Sequence, residues 1–301
     1  MSLSITLKHI TSHPLTQNQK ISAIFRYFKW QFQSRLDKGI HIVPFVAHTK
    51  LAAQSGMTGA TGNIYTGLHE FNDMGFLLHF LRNTESREEK KGDYFMDIGA
   101  NIGSYTVLAA GVIGTQTTSI EPIPITYQKL QKNIQLNNLA NKVTALNIGL
   151  GSEKGVLQFT KSLDTVNHVA TEDTPQDQRI DVPIEKVDDV ATKISILVKI
   201  DVEGFETEVI NGGETIFSSP LQKAIIIELN GSGDRYGYDE AKIHQKVENW
   251  GYKPYSYDPI KRELKKIESF GNHNTIYCKD IDFIKERLKN APLVTVLGQK
   301  F

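Results

Sequence analysis

The 301-residue sequence has little cysteine, no excess of charge of either sign and no long apolar run. Its single cysteine, Cys278, excludes an internal disulfide and a cysteine metal cluster, which favours a reducing compartment. Lys plus Arg and Asp plus Glu both number 34, so no net field attracts nucleic acid. No apolar stretch is long enough to span a membrane, and the first residues lack the apolar core of a signal peptide. We therefore expect a cytoplasmic protein with no integral membrane span and no nucleic-acid partner.

What the sequence does contain is a strand, a tight turn and a helix over residues 94–108. Gly99 and Gly103 follow a short apolar run and bracket the turn. Glycine lets a ligand lie against the main chain beside a helix N-terminus. The G-x-x-x-G spacing, with Asp97 two residues before it, differs from the dinucleotide fingerprint, and the Gly-Lys-Ser/Thr of a phosphate-binding loop is absent. The turn therefore predicts a small-molecule site that holds no phosphate.

A second predicted strand, over residues 117–120, ends at Glu121 and Pro122. An acid at such a strand end can accept both hydroxyls of a ribose. Asp97, in the turn before it, can face a ligand amine where it would repel a pyrophosphate. This pairing favours S-adenosylmethionine (SAM) over NAD as the cofactor.

Strands and helices then alternate, which predicts an α/β fold with a mostly parallel sheet covered on both faces. A terminal strand pair, 253–257 and 274–278, is expected to close a seven-stranded sheet. The remaining predicted strands are 143–147, 196–201 and 224–229, a hairpin is predicted through 156–159, and the predicted helices are 125–137, 206–217 and 240–250.

Residues 1–65 are predicted to form an N-terminal extension or cap, and residues 66–301 the main domain. Residues 1–18 look irregular, whereas apolar residues at helical spacing predict an amphipathic helix over 20–36. We expect its aromatic stripe to pack on the main domain or on another subunit. Packing on another subunit is compatible with a homodimer. The alternative is a peripheral membrane helix near a lipid-linked substrate. Residues 40–64 are predicted to form a small hairpin or cap.

Polar residues lie at the predicted strand ends, where ligands bind in open α/β sheets. Buried charges there need partners or a ligand, and a Lys199–Glu228 ion pair is the structural alternative. Glu70, at a helix start, can also reach the ligand, or it is simply solvated. The strand-end candidates are Asp97, Glu121, Asn147, Gly149, Asp201, Glu203, Glu228 and Asn230.

Five segments together resemble the FkbM family of SAM-dependent methyltransferases, over roughly residues 66–280. They are 97–103, 121–122, 130–137, 198–206 (VKIDVEGFE) and 226–229 (IIEL). The resemblance implies a class I (Rossmann-like) methyltransferase fold and O-methylation of a hydroxyl on a sugar, a glycan or a secondary metabolite. It assigns Asp97, Gly99, Asn101 and Gly103 to the SAM loop and Glu121 to the ribose. It also places Asp201, Glu203 and Glu206 nearest the methyl group.

Transfer to a hydroxyl requires a base for its proton, and Asp201, His168 and Glu228 are the catalytic candidates. His168 titrates near neutral pH, whereas Asp201 is better fixed in the sheet. A second version has Asp201, Glu228 and Asn230 hold Mg²⁺ and chelate a vicinal diol, but we favour the version without a metal. Further alternatives are a nitrogen or carboxylate acceptor and a non-catalytic SAM-binding partner protein.

Overall fold

The computed structural model describes residues 3–83, 92–161, 163, 166–271 and 273–301. Its helices are α1 (Leu3–Ser12), α2 (Lys20–Leu36), α3 (Thr58–Thr66), α4 (Phe71–Phe80), α5 (Ser104–Thr106, continuing in π geometry over Val107–Ile113), α6 (Pro124–Leu136), α7 (Val187–Val190), α8 (Glu206–Asn211), α9 (Glu214–Ser218), α10 (Glu240–Asn249) and α11 (Ile281–Lys289). Its strands are β1 (His41–Pro44), β2 (Lys50–Ala53), β3 (Tyr94–Ile98), β4 (Gln116–Ile120), β5 (Val143–Leu146), β6 (Gly149–Leu150), β7 (Gly155–Thr160), β8 (Arg179–Glu185), β9 (Leu197–Ile200), β10 (Ala224–Glu228), β11 (Lys253–Asp258), β12 (Glu263–Lys266), β13 (Asn274–Cys278), β14 (Thr295–Val296) and β15 (Gln299–Lys300).

The central sheet has eight strands in the order β12-β11-β13-β10-β9-β3-β4-β5. The five strands from β10 to β5 are parallel, and β13 lies antiparallel to β10. This arrangement confirms the predicted class I (Rossmann-like) fold with one strand more than the seven expected. The extra strand, β12, pairs only with β11 and is mostly exposed, so its Glu-Leu-Lys-Lys sequence carries no apolar signal.

The central strands are apolar without interruption because helices cover both sheet faces. β9 is buried along its whole length, and β10 is buried up to Glu228. One core lies between the sheet and α4 with α11, and a second lies against α8, α9 and α10. Buried apolar contacts therefore fix the strand ends at which polar residues accumulate.

Three predictions along the chain are wrong. Residues 1–18, expected to be irregular, contain α1, and the turn-rich stretch before Asn63 forms α3. α3 is poor in helix-forming residues, and tertiary contacts stabilise it: Ala60 and Asn63 are buried, and Asn63 Nδ2 donates to Ser104 Oγ. The helix predicted over 206–217 breaks into α8 and α9 at Gly212 and Gly213, two residues of low helix propensity.

The predicted helix over residues 20–36 is present with the same bounds as α2. Residues 41–53 form the β1–β2 hairpin, whose Ala52 N donates to Asn133 Oδ1, so the hairpin packs on α6. Within the described ranges, no helix combines the length and apolarity needed to cross a membrane.

Candidate functional site

A cavity of about 740 Å³ opens at the carboxyl edge of the parallel strands. This size lies within the usual range for small-molecule sites. One wall is the turn after β3 with the ends of β4, β9 and β10, and the opposite wall comes from α1, α2 and α3. The sheet edge and the N-terminal helices therefore enclose one site between them.

The turn after β3 forms the floor of the cavity. Gly99 N and Ala100 N both donate to the carbonyl of Ile120, at 3.0 and 2.9 Å. Gly99 has φ +78°, and a Cβ there would overlap the carbonyl oxygen of Asp201. Glycine is therefore required at position 99 because the end of β9 approaches so closely. The absence of a side chain also leaves the backbone open to the cavity.

Asp97 lies directly before this turn and is almost fully buried. Its Oδ2 accepts a hydrogen bond of 2.6 Å from Thr106 Oγ1, which also lies 2.7 Å from Ser119 Oγ. Burial raises the pKa of Asp97 to about 6, although the bond from Thr106 opposes the rise. The side chain lines the cavity as a fixed acceptor of hydrogen bonds.

Glu121 directly follows β4 and connects the turn after β3 to the segment before α6. Its Oε2 accepts from Asn101 N at 2.9 Å and its Oε1 from Ile123 N at 3.0 Å. Burial raises the pKa of Glu121 to about 7 against these two bonds. Each carboxylate oxygen keeps a further lone pair toward the cavity that Glu121 and Pro122 line.

Gly103 and Asn147, predicted to bind the cofactor, lie outside the cavity lining, whereas Gly149 lines it. Gly103 has φ +88° at the start of α5, and a Cβ there would come within 2.5 Å of Leu130 Cδ1. Asn147 Nδ2 donates to the carbonyls of Glu121 and Pro122, at 2.8 and 2.9 Å. Gly103 and Asn147 therefore contact the segments around the cavity without lining it themselves.

Three carboxylates converge where β9 and β10 end. Asp201, Glu203 and Glu228 each place an oxygen within 4.8 Å of those of the other two. Burial, followed by the charge of Asp201, raises the pKa of Glu203 to about 7 and that of Glu228 to about 9. The cluster therefore holds protons more tightly than separate carboxylates would.

Lys199 supplies the positive charge of this cluster. It is buried, and its Nζ donates to Asp201 Oδ2 at 2.9 Å. Burial opposes its charge, but Asp201, Glu70 and Glu228 raise the pKa of Lys199 on balance. Lys199 forms its ion pair with Asp201, two residues further along the chain. The structural alternative had predicted Glu228 as its partner.

A second acidic group lies beside the first, because its partner Asn274 pairs with Glu228 across neighbouring strands. Asn274 Nδ2 donates to Glu70 Oε1 at 2.7 Å and to Asp73 Oδ2 at 3.1 Å. Burial and then the charge of Glu70 raise the pKa of Asp73 to about 7. The Tyr105 hydroxyl is buried near Glu70 without a well-formed hydrogen bond within the described part of the chain. Sequence analysis predicted Glu70 at the site but missed Asp73 and Tyr105. Both lie within a few residues of predicted site residues, Asp73 after Glu70 and Tyr105 after Gly103.

Two further candidates lie away from the cluster. The ring of His168 is outside the cavity lining, and its Nδ1 lies 2.8 Å from the carbonyl of Val166. Burial lowers the pKa of His168. Asn230 is exposed, and its Oδ1 accepts from Ser232 N at 2.9 Å, so Glu203 takes the place predicted for Asn230 beside Asp201 and Glu228.

Comparison with known proteins identifies a matching family and several relatives. The family model described as the methyltransferase FkbM domain matches residues 97–254. Methyltransferase 1 of Beauveria bassiana is 25% identical over 167 residues, which are 47% of this chain and 66% of that protein. The hexuronic acid methyltransferase AglP of Haloferax volcanii is 28% identical over 152 residues, 49% of this chain and 60% of that protein.

Solved structures also match. The crystal structure of a methyltransferase FkbM from Methylobacillus flagellatus superposes with a TM-score of 0.45 at 18% identity, covering 72% of this chain and 52% of that one. The chain thus spans between about half and two thirds of the length of these three proteins.

Proposed function

Because the chain belongs to the FkbM family of methyltransferases, we propose that it is a SAM-dependent O-methyltransferase acting on a hydroxyl of a sugar, a glycan or a secondary metabolite. One observation carries the proposal: a single cavity joins the Glu121 strand end to the carboxylate cluster around Asp201. A donor and a proton acceptor can therefore meet in one enclosed space. The name of the Haloferax relative, a hexuronic acid methyltransferase, supports a sugar acceptor.

The residues around the turn fit SAM. Glu121 retains lone pairs for ribose hydroxyls after accepting two backbone bonds, and Asp97 offers a buried acceptor for the amine of the cofactor. Asn101 and Gly99 line the cavity between them, with positive φ at both positions. These four residues would bind and orient the donor.

Bound SAM supplies a methyl group on a positively charged sulfur, which is already activated for transfer. The chain must then align the acceptor, exclude water and remove the hydroxyl proton. Asp201 with Glu203 and Glu228 is placed to take that proton, and a pKa of about 7 suits Glu203 as a base near neutral pH, whereas a pKa of about 9 keeps Glu228 protonated there. We assign the base to this cluster, and His168 has no direct role because its ring lies outside the cavity lining.

The acidic surroundings favour a neutral acceptor over a carboxylate. Glu70 and Glu228 line the cavity with Asp201 and Glu203, and the positive charges that act on this group include Lys199, which lines the cavity, and Arg235, which acts on Glu203. An acceptor carboxylate would meet repulsion from those carboxyl groups that are ionised, in a site of low dielectric. A hydroxyl can instead donate to any of them.

We also propose that residues 1–65 act as a cap on the methyltransferase domain formed by 66–301. Ile10 of α1, Tyr27 of α2 and Gly59 of α3 line the cavity opposite the strand ends. A wall supplied by these helices excludes water from the acceptor during transfer.

The carboxylate trio supports a metal-dependent version as the second candidate, because three oxygen ligands this close suit Mg²⁺. Lys199 argues against it, since its ammonium already donates to Asp201 and would repel a divalent cation. Dialysis against EDTA followed by Mg²⁺ add-back decides between the versions. Turnover that falls with EDTA and returns with Mg²⁺ supports the metal, and unchanged turnover removes it.

The proposal is tested in two steps. Calorimetric titration with SAM and with S-adenosylhomocysteine should show binding of both, and failure of both to bind contradicts the proposal. Transfer of labelled methyl from SAM to a panel of saccharides and hydroxylated metabolites then identifies the acceptor. Label found on nitrogen or on a carboxylate would replace the O-methylation assignment while leaving the donor intact.

A further inference from the structure

Helix α2 turns its most apolar side to solvent. Ile21, Phe25, Phe28, Phe32 and Leu36 follow one another at intervals of four, three, four and four residues and are 86, 67, 50, 66 and 73% exposed. The side of the helix that packs on the protein instead carries Ala23, Trp30 and Ser34. A helix that only packs on its own domain shows the reverse pattern, with the apolar stripe inside. These five exposed residues, the α2 stripe, therefore mark an interaction surface.

The charged residues on α1 and α2 have one sign, and the first acidic residue of the chain, Asp37, directly follows α2. Residues 1–36 contain five basic residues and no acidic residue, whereas residues 37–301 contain 29 basic and 34 acidic residues. Lys20, Lys29 and Arg35 on α2 are exposed, and so is Lys8 on α1. An apolar stripe with basic flanks is complementary to the surface of a membrane that contains anionic lipids.

The neighbouring helix extends the apolar surface. α1 packs against α2, and its Leu3 and Ile5 are 53 and 57% exposed. Together the two helices present aromatic and aliphatic side chains with cationic ends and no carboxylate. The extension thus has the composition of an interfacial helix and not that of a membrane span.

A second copy of the chain fits this face less well. A two-fold interface would bring the same patch of both subunits together, so the α2 stripe of one copy would face that of the other. Lys20, Lys29 and Arg35 of both copies would then lie close together and outnumber the carboxylate of Asp37, which directly follows α2. An anionic lipid surface satisfies both the apolar stripe and its basic flanks.

We propose that α2 binds the surface of an anionic lipid bilayer, with its axis in the membrane plane and the α2 stripe at the boundary of headgroups and acyl chains. Tyr27 and Gln31, on the flank of the same helix, line the cavity. Binding therefore brings the candidate site beside the lipid surface. The use of this position to reach a lipid-linked acceptor rests on the proposed function, but the binding itself does not.

Co-sedimentation of the full chain with vesicles tests the proposal. We expect binding to vesicles of phosphatidylcholine mixed with phosphatidylglycerol, weak binding to phosphatidylcholine alone, and a loss of binding at high salt. Phe25→Ala with Phe32→Ala should weaken binding by about tenfold or more. The matched control is Leu221→Ala with Leu293→Ala, which removes two side chains that are 62 and 66% exposed elsewhere and should change nothing.

Two double variants that each remove two positive charges complete the test. Lys29→Gln with Arg35→Gln should weaken binding to anionic vesicles by about tenfold or more, whereas Lys265→Gln with Lys266→Gln on β12 should not. Absence of binding to anionic vesicles overturns the proposal. So does a dimer in light scattering that Phe25→Ala with Phe32→Ala dissociates, because a second copy would then cover the stripe. SAM titration of the same variants should be unchanged, which separates this proposal from the proposed function.

Discussion

At the scale of single residues, burial at strand ends decides the chemistry of the site. Carboxyl groups that would be ionised in water are surrounded by apolar strands, so their pKa values rise unless a hydrogen bond or a cation compensates. Donors from the turn and from Thr106 offset part of this rise at Glu121 and Asp97, whose pKa values are still raised to about 7 and about 6. Such groups are expensive to bury and are typical of sites that bind or react.

Glu121→Gln should weaken SAM binding. The substitution removes the charge that would accept the ribose hydroxyls and replaces one of the two acceptors for backbone donors. Hydrogen bonds to a charged acceptor contribute roughly 1.5–3 kcal/mol, so the dissociation constant should rise about tenfold to a hundredfold. Calorimetry measures it, with the exposed Glu214→Gln as control. Unchanged affinity would remove Glu121 from the cofactor site.

Asp201→Asn should lower kcat by about a hundredfold to ten-thousandfold, since the variant cannot take a proton. Its oxygen still accepts the bond from Lys199, so the fold should be retained, which circular dichroism verifies. His168→Ala is the matched variant and should leave kcat nearly unchanged. Should His168→Ala abolish turnover while Asp201→Asn retains it, the base has been assigned to the wrong residue.

At the scale of secondary-structure elements, the unit of β3, turn and α5 holds the site together. The turn contacts β4 through Ile120 and Glu121, and Gly99 lies against the end of β9. The helix after the turn continues in π geometry over Val107–Ile113, a form that is frequent at functional sites. Contacts of the turn therefore join three strand ends and one helix start.

Gly99→Ala should destabilise this unit strongly. The new Cβ would overlap the carbonyl of Asp201 at a position with φ +78°. Strain and overlap together predict a loss of about 3 kcal/mol or more in the free energy of unfolding. Gly155→Ala on β7, where a Cβ meets nothing within 4 Å, is the control and should stay within about 1 kcal/mol. Denaturant titration of both variants measures the difference, and equal stabilities would contradict the close approach.

At the scale of the whole molecule, the buried carboxyls outnumber the buried neutral histidines. Burial lowers the pKa of His13 and of His79 to about 4, which makes the fold lose stability as pH falls below about 6.5. The raised carboxyls act in the opposite sense, because the folded chain binds their protons more tightly than the unfolded chain does. They are Asp97 at about 6, Asp73, Glu121, Glu203 and Glu206 at about 7, and Glu228 at about 9.

The ligand-free protein should therefore be more stable at pH 6 than at pH 8. Stability from the raised carboxyls is fully present below their unfolded pKa values near 4 and is lost as pH rises through about 6 to 9. Thermal unfolding across this range measures the effect. Glu228→Gln should flatten the fall between pH 7 and pH 9, and a melting temperature that rises from pH 6 to pH 8 would contradict the burial argument.

The sequence alone determined the order and type of the main elements and the location of the donor turn. Uninterrupted apolar runs such as β9 and β10 have one stable environment, the middle of a covered parallel sheet. The motif around residues 97–103 specifies its own turn because glycine is needed where the backbone adopts positive φ. These signals are local, so they can be read without the fold.

Only the tertiary structure decided which polar groups meet. Glu70 and Asp73 join Asn274 across about two hundred residues, Glu203 and not Asn230 completes the carboxylate trio, and His168 lies outside the cavity lining. α1 and α3 form because they pack on other elements, and local helix propensity does not predict them. The sequence showed that the α2 stripe is apolar but not that it is exposed to solvent. Periodicity shows which residues share one face of a helix, but it does not show what covers that face.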